Sequence, residues 1–342
     1  MAQKKKRLTI TALARELGLS VTTVSFVLNG QAKKYGLAAE TVKRVKTAAR
    51  DMNYVPNELA RGLRQERTGI IGIVLPHLLN DWAHNIMNGV YEVFEKDGYV
   101  PFIINHRENR QHEQRQIERM LQRRADGFIV IPETGSEPAY RQILEQDIPL
   151  VFLSDALPSL PDVVYAAWDP EEVRIAVQHL IDTGCRKIVY AGANDPRTIA
   201  SARLQVFKKT LRAAGLPVQP EWIVSDHGDK PLEEQLSELL KGPDNLCPDA
   251  VFGVYDDLAT RSIDLLREMQ IGIPAQVSVA TLGDSRIVGP NCYDITTVSA
   301  LIEEEGRQAA RLMVKLLDKA AEPVEPVLVR GGKLIVRGST KS

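Results

Sequence analysis

Fourteen lysines and arginines fall within residues 1–67, among them Lys4, Lys5, Lys6 and Arg7, the pair Lys33 and Lys34, and Lys43, Arg44 and Lys46, against five carboxylates. Residues of that type and density neutralise phosphates, and the release of condensed counterions drives such a segment onto a nucleic acid. Positions 68–342 hold 29 basic and 39 acidic residues of the chain totals of 43 and 44, so a net charge of −1 divides into +9 and −10. A basic module suited to a polyanion and an acidic body that avoids the same polymer are implied, although charge alone also fits a solvated basic tail. In the acidic body Ser154 and Asp155 follow the apolar run VFL, Asp256 and Asp257 follow VFGVY, and Asp284 follows VATLG. Carboxylates in those places accept hydrogen bonds from the paired hydroxyls of a polyol, and each singly also suits a helix N-cap. Enzymatic patterns are missing: there is no G-x-x-x-x-G-K-[ST], G-x-S-x-G, G-x-G-x-x-G or H-E-x-x-H, and His112-Glu113 lacks a second histidine. The three cysteines, Cys185, Cys247 and Cys292, are odd in number and outside any C-x-x-C, so neither a disulfide framework nor a zinc site is expected.

Elements must hold these groups in place. From Thr9 the apolar positions Ile10, Leu13, Ala14 and Leu17 fall at i, i+3, i+4 and i+7, which predicts a helix that Gly18 stops. Ser20 is a strong N-cap for a second helix in which Val21, Val24, Val27 and Leu28 form a buried stripe, Thr22, Ser25 and Phe26 point elsewhere, and Asn29-Gly30 ends the run. Two short helices joined by a tight Gly-Leu-Ser turn match the helix-turn-helix unit, whose second helix enters the DNA major groove, though such a pair also serves as plain scaffold. Val42, Val45, Ala49 and Met52 mark a third helix that closes a small core. Pro56 then opens a fourth piece running to Arg64, too short to be stable alone and weakened at Gly62 by ~1 kcal/mol relative to alanine.

Beyond Thr68 the runs GIIGIVLP, YVPFIINH, ADGFIVIPE, IPLVFLS, RKIVYAGA, DAVFGVYDD and VSVATLGD alternate with polar segments of helical length. That alternation predicts parallel sheets flanked by helices, with ligands beyond the carboxyl ends of the strands. Asp169-Pro170 is expected as the N-cap and first residue of one such helix. The length fits about two domains of ~150 residues. No run approaches the ~20 apolar residues of a membrane span, and the start MAQKKKRLTITALAREL develops no signal-peptide core, so a cytoplasmic protein is expected.

The segment LTITALARELGLSVTTVSFVLNG resembles the helix-turn-helix of the LacI-type (lactose repressor and galactose repressor) bacterial transcription regulators, NYVPNELARGLR resembles their hinge, and TGIIGIVLP the first strand of their sugar-binding-protein-like core. The likeness covers essentially the whole chain. It implies an all-α helix-turn-helix DNA-binding domain over 1–55, a hinge helix over 56–67, and an α/β periplasmic-binding-protein-like core of two doubly wound parallel-sheet subdomains over 68–342. The N-subdomain would take about 68–166 and 299–328, and the C-subdomain about 167–298 and 329–342. Base contacts fall by resemblance on Val21, Thr22 and Phe26. The last position is usually arginine in the family, whereas Phe26 offers apolar contact, as with a thymine methyl, or turns into the core of the module. Phosphate contacts fall on Thr9, Thr23, Ser25, Asn29, Tyr54 and Asn57. The loop Gln31–Leu37 is longer than usual and Ala38 stands where a capping serine is common, so Lys33 and Lys34 are expected to substitute there.

By resemblance Leu63 would be the apolar wedge in the minor groove with Ala60 packed nearby, a linker leucine buried against the core being the alternative for Leu63. Arg203, in IASARLQVF, matches the family's effector-contacting arginine, and Gly283 stands where a second acidic residue is common. The effector set is then Trp82, Ser154, Asp155, Trp168, Arg203, Asp256 and Asp284, a combination that suits a sugar with an indole on its apolar face. The resemblance implies a repressor that binds a pseudo-palindromic operator as a homodimer under control of a small molecule, without a cofactor. No heptad tail follows VLVRGGKLIVRGSTKS. A solute-binding protein of a transport system would share the core but would carry an export signal and lack residues 1–67.

Overall fold

The computed structural model describes residues 8–55, 67–78, 81–107, 109–133, 135–192, 200–225, 230–243, 246–299, 301–318 and 323–341. They belong to two compact units, Met1–Thr68 and Gly69–Ser342. The expected hinge residues Asn57, Ala60 and Leu63 lie outside the described residues.

The first unit is built from α1 (Ile10–Leu17), α2 (Val21–Leu28) and α3 (Ala39–Asp51). Thr9 Oγ1 accepts the Ala12 N–H at 3.2 Å to start α1, and Gly18, at φ 64°, ends it in the left-handed region that glycine enters without a Cβ penalty. Ser20 Oγ accepts the Thr23 N–H at 3.0 Å, which starts α2 at 108° to α1. Ala38 has no side-chain acceptor, so α3 begins without that bond. The helices enclose Leu13, Ala14, Val24, Val27, Val45 and Ala49. One member of the expected stripe is elsewhere: Val21, the first residue of α2, is 39% exposed, because the core is reached only one turn further on, at Val24.

The second unit holds two six-stranded sheets. In the first lobe the strands β1 (Ile70–Leu75), β2 (Val100–Asn105), β3 (Gly127–Val130), β4 (Leu150–Leu153), β5 (Tyr165–Trp168) and β11 (Val327–Val329) run in the order β11-β5-β4-β3-β1-β2, all parallel. In the second lobe β6 (Ile188–Ala191), β7 (Ile223–Val224), β8 (Ala250–Gly253), β9 (Ser278–Leu282), β10 (Thr296–Val298) and β12 (Leu334–Ile335) run in the order β12-β10-β9-β8-β6-β7. Only the β10–β12 pair is antiparallel. Around the sheets lie α4 (Asp81–Asp97), α5 (Arg110–Gln122), α6 (Glu137–Leu144), α7 (Glu172–Asp182), α8 (Ala200–Ala213), α9 (Leu232–Leu240), α10 (Asp256–Glu268) and α11 (Ile302–Leu317). The fold is thus a helical helix-turn-helix unit and a core of two doubly wound sheets. All seven apolar runs form strands. The other five strands have two to four residues each and are selected by pairing with a neighbour rather than by a pattern of their own.

The chain passes between the lobes after β5, after β10 and after β11. Helix α7 begins at Glu172 rather than at Pro170. Asp169 still serves its start: Asp169 Oδ1 accepts the Glu171 N–H at 3.0 Å and its other oxygen accepts Arg330 Nε. Helix α11 returns to the first lobe and meets α4 at very short range. A Cβ on Gly89 would stand 1.9 Å from the Glu303 carbonyl oxygen, and one on Gly306 2.1 Å from that of Ile86. Glycine at both places lets the helices close, and that closure fixes the depth of the residue before Gly306, Glu305. Among the described residues no single helix is long and apolar enough to cross a membrane.

Candidate functional site

In the helical unit the exposed face of α2 carries Val21 and Thr22. Phe26 lies on neither alternative taken alone. Its ring stacks face to face on Tyr35, with centroids 3.7 Å apart and planes 6° from parallel, outside the packed core. Tyr35 comes from the long loop after α2, which is closed by the Leu37 N–H donating to the Ala32 carbonyl at 2.9 Å. Tyr35 remains 47% exposed, and Lys34 Nζ lies 5.8 Å from its ring centroid. Sequence reasoning missed Tyr35; the signal was an aromatic residue at the tip of an unusually long loop. Among the expected phosphate contacts Thr9 is occupied as a cap, Thr23 Oγ1 lies 2.8 Å from Ser20 Oγ, and buried Ser25 accepts Asn29 Nδ2 at 3.1 Å. Burial pushes the Tyr54 hydroxyl pKa up. Lys33, Lys34, Lys43, Lys46 and Arg50 stand exposed, while Arg44 Nη2 donates to the Leu17 carbonyl at 3.1 Å and holds the end of α1. Such a surface surrounds a short apolar and hydroxyl-bearing helix start with cations.

In the second unit the carboxyl ends of β4 and β5 and the start of α8 bring together Ser154, Asp155, Trp168 and Arg203. Arg203 is 5% exposed, donates through Nη1 to the Tyr255 hydroxyl at 2.9 Å, and lies 5.4 Å from the Trp168 ring centroid and 5.5 Å from that of Tyr255. Burial works against its charge, but Tyr255, Tyr190, Asp155 and Glu305 outweigh it and raise the pKa. Ser154 adopts φ 62°, an uncommon conformation for a residue with a Cβ and one that persists where surrounding structure enforces it. Its N–H donates to the Ala166 carbonyl at 2.8 Å, and Ser154 Oγ and the Trp168 indole N–H are buried facing Glu305. Glu305, on α11, is 1% exposed and faces Ser154 and Trp168. Burial pushes its pKa up to about 7, against the opposing hydrogen bonds of Ser154 and Trp168 and the charge of Arg203.

Other expected contacts stand differently. Asp284 accepts Arg337 Nη2 at 2.6 Å, and the same guanidinium holds the Ile295 carbonyl at 2.9 Å, so this carboxylate ties the second lobe to its last segment. Asp256 and Asp257 form the first turn of α10, where acidic groups favour the helix dipole. Trp82 is half-buried in the first turn of α4 against the first-lobe core. Beside it Asp81 reaches across to the second lobe, accepting the Arg286 N–H at 2.8 Å. Sequence reasoning missed Tyr255 and Glu305. The second was legible: Ile302, Glu305 and Ala309 share an apolar helical stripe, and a carboxylate on such a stripe is an anomaly.

Two family models match the chain: bacterial regulatory proteins of the lacI family over residues 9–57, and a periplasmic binding protein-like domain over 177–340. The catabolite repressor/activator of Escherichia coli (strain K12) is 27% identical over 319 residues, 93% of this chain and 94% of that protein. A solved complex of the transcriptional regulator CelR with cellobiose is 26% identical with a TM-score of 0.70, covering 97% of this chain and 100% of the other. The lac repressor dimer bound to operator and an anti-inducer gives a TM-score of 0.81 at 20% identity, over 98% and 100% of the two chains. A helix-turn-helix with an exposed, cation-flanked second helix, joined in sequence to a two-lobed core with a polar cleft, makes this chain a member of the lacI family of bacterial regulatory proteins, a sequence-specific DNA-binding regulator with an effector-binding core.

Proposed function

We propose that the chain is a repressor whose operator affinity is set by a saccharide bound between the lobes. The observation that carries this reading is the polar cluster at the strand ends, where Ser154, Trp168 and Glu305 gather around Arg203 and its two aromatic neighbours. A sugar offers several hydroxyls to such a set and an apolar face to the rings. Cellobiose in the related regulator is a precedent of that class.

On DNA, Val21, Thr22 and Phe26 read base edges while Lys33, Lys34 and the helix 3 cations neutralise phosphates. The hinge pair Ala60 and Leu63 enters the minor groove, and the chain acts as a homodimer on a pseudo-palindromic site. The edge strand β2 and neighbouring α4 supply a face for a second copy, with Tyr91, Val100 and Phe102 at 48%, 62% and 47% exposure. Ligand binding changes lobe closure and thereby the spacing of the paired hinges.

The test is fluorescence anisotropy with DNA from upstream of the chain's own gene, across a salt series and with each of a panel of neutral sugars. Affinity should fall with salt by ~0.9 in the log-log slope per phosphate contact, and at least one sugar should weaken operator binding tenfold or more. A panel in which no sugar changes operator affinity would refute the saccharide reading.

A further inference from the structure

We infer that Tyr35, on the long loop after α2, is a positioning residue for base recognition: stacked on Phe26, it holds that ring as an apolar surface that selects the C5-methyl group of a thymine in the major groove. This rests on the reading above that Phe26 faces a base edge, and it adds the residue that fixes the ring and the base that the ring selects. Phe26 stands one helical turn after exposed Thr22 and shares its side of α2, while Val24, Ser25 and Val27 are buried. The Phe26 ring is half-buried and is not part of the packed core of the unit. Tyr35 covers it, with centroids 3.7 Å apart and planes 6° from parallel.

The loop is built to deliver the Tyr35 ring. The Gln31 N–H donates to the Phe26 carbonyl at 2.8 Å, the Tyr35 N–H to the Gln31 carbonyl at 3.2 Å, and the Leu37 N–H to the Ala32 carbonyl at 2.9 Å. Gly30 and Gly36, at φ 71° and 63°, turn the chain at the two ends of the loop. Ala32 and Leu37 pack against the core of the unit, yet Tyr35 between them is 47% exposed. A ring kept for packing alone would be covered. This one lies open beside Lys34, whose Nζ is 5.8 Å from its centroid and supplies a cation for an adjoining phosphate. The Phe26 ring offers neither donor nor acceptor, and thymine alone among the bases carries an apolar group on its major-groove edge. Exposed Val21 extends that apolar character to the start of the helix. Stacking fixes the Phe26 ring before DNA arrives, so the contact loses little side-chain freedom on binding.

The experiment uses the full chain and an operator recovered by repeated selection from a random-sequence duplex library. Each thymine of that operator is replaced in turn by deoxyuridine, which keeps the base pair and deletes only the methyl group, and affinity is read by fluorescence anisotropy at fixed salt. At one position in each half-site the wild type should bind the uracil duplex about fourfold more weakly, the effect of one buried methyl group. Phe26→Ala and Tyr35→Ala should bind the thymine and uracil duplexes alike at that position, whereas Tyr35→Phe, which retains the stack, should keep the discrimination. The melting temperature reports folding separately for each variant, and the uracil scan of the wild type needs no variant at all. Discrimination that survives in Tyr35→Ala overturns the proposal, because the loop is then only a support. A scan that is flat at every thymine also overturns it. Selection repeated with Phe26→Ala separates this failure from that of the underlying reading: an operator relaxed at one position per half-site leaves Phe26 at a base edge, and an unchanged operator removes it.

Discussion

The reading face of the helical unit and the cleft of the core handle polar groups in opposite ways. In the helical unit hydroxyls are satisfied within three or four residues: Thr9 and Ser20 cap their own helices, and Ser25 bonds Asn29 one turn away. In the cleft the polar groups come from separate elements and meet only through long-range packing, as Ser154, Trp168, Arg203 and Glu305 do. A surface that meets a polyanion needs only to be held rigid, because the phosphates are attracted at long range. A site that must discriminate among small molecules gains from buried polar groups held in fixed positions, since a wrong ligand leaves them unpaired.

The largest break in this contrast is expected at Arg203. Arg203→Lys keeps the charge but loses the planar fork that reaches Tyr255, and a hydrogen bond to a charged group is worth about 1.5–3 kcal/mol. Sugar affinity measured by calorimetry should fall ~30-fold or more while operator binding without sugar stays within twofold; a matching loss on DNA would mean the two regions are not independent in this way.

A smaller effect is expected at the aromatic stack. Phe26→Ala removes the Tyr35 partner, and stacked pairs are worth about 0.5–1.5 kcal/mol beyond area burial, so operator affinity should drop roughly three- to tenfold with the salt slope unchanged. Lys33→Gln with Lys34→Gln should do the reverse, lowering the slope by up to roughly 2 on operator and random DNA alike. A double-mutant cycle of Phe26→Ala and Tyr35→Ala showing no coupling would remove the stack from the reading face.

The smallest effect belongs to the local caps. Ser20→Ala deletes the acceptor for the Thr23 N–H and should lower the stability of the helical unit by ~1 kcal/mol in denaturant melts, without altering the ratio of operator to random DNA binding. A change in that ratio would give Ser20 a direct role in reading.

Much of the helical unit was legible because its determinants are local. Thr9, Gly18, Ser20 and the stripe through Leu13, Val24 and Val45 lie within a turn or two of what they control. The seven strands in apolar runs were legible for the same reason, since a buried parallel strand is an unbroken apolar run. Short strands such as β7 and β12 carry too few residues for a pattern and exist only as partners of β6 and β10.

Asp284 shows the limit for the site. Its type and place at a strand end are those of a ligand contact, yet Arg337, 53 residues further on, takes its carboxylate. Sequence by itself determined the helical reader, the parallel character of the core and the strand ends at which polar groups gather, because periodicity, caps and apolar runs act over a few residues. Tertiary structure alone decided which groups those meet: whether a carboxylate finds a guanidinium, as Asp284 does, or lies buried on an apolar helix face beside Ser154 and Trp168, as Glu305 does, depends on long-range packing such as the crossing of α11 on α4.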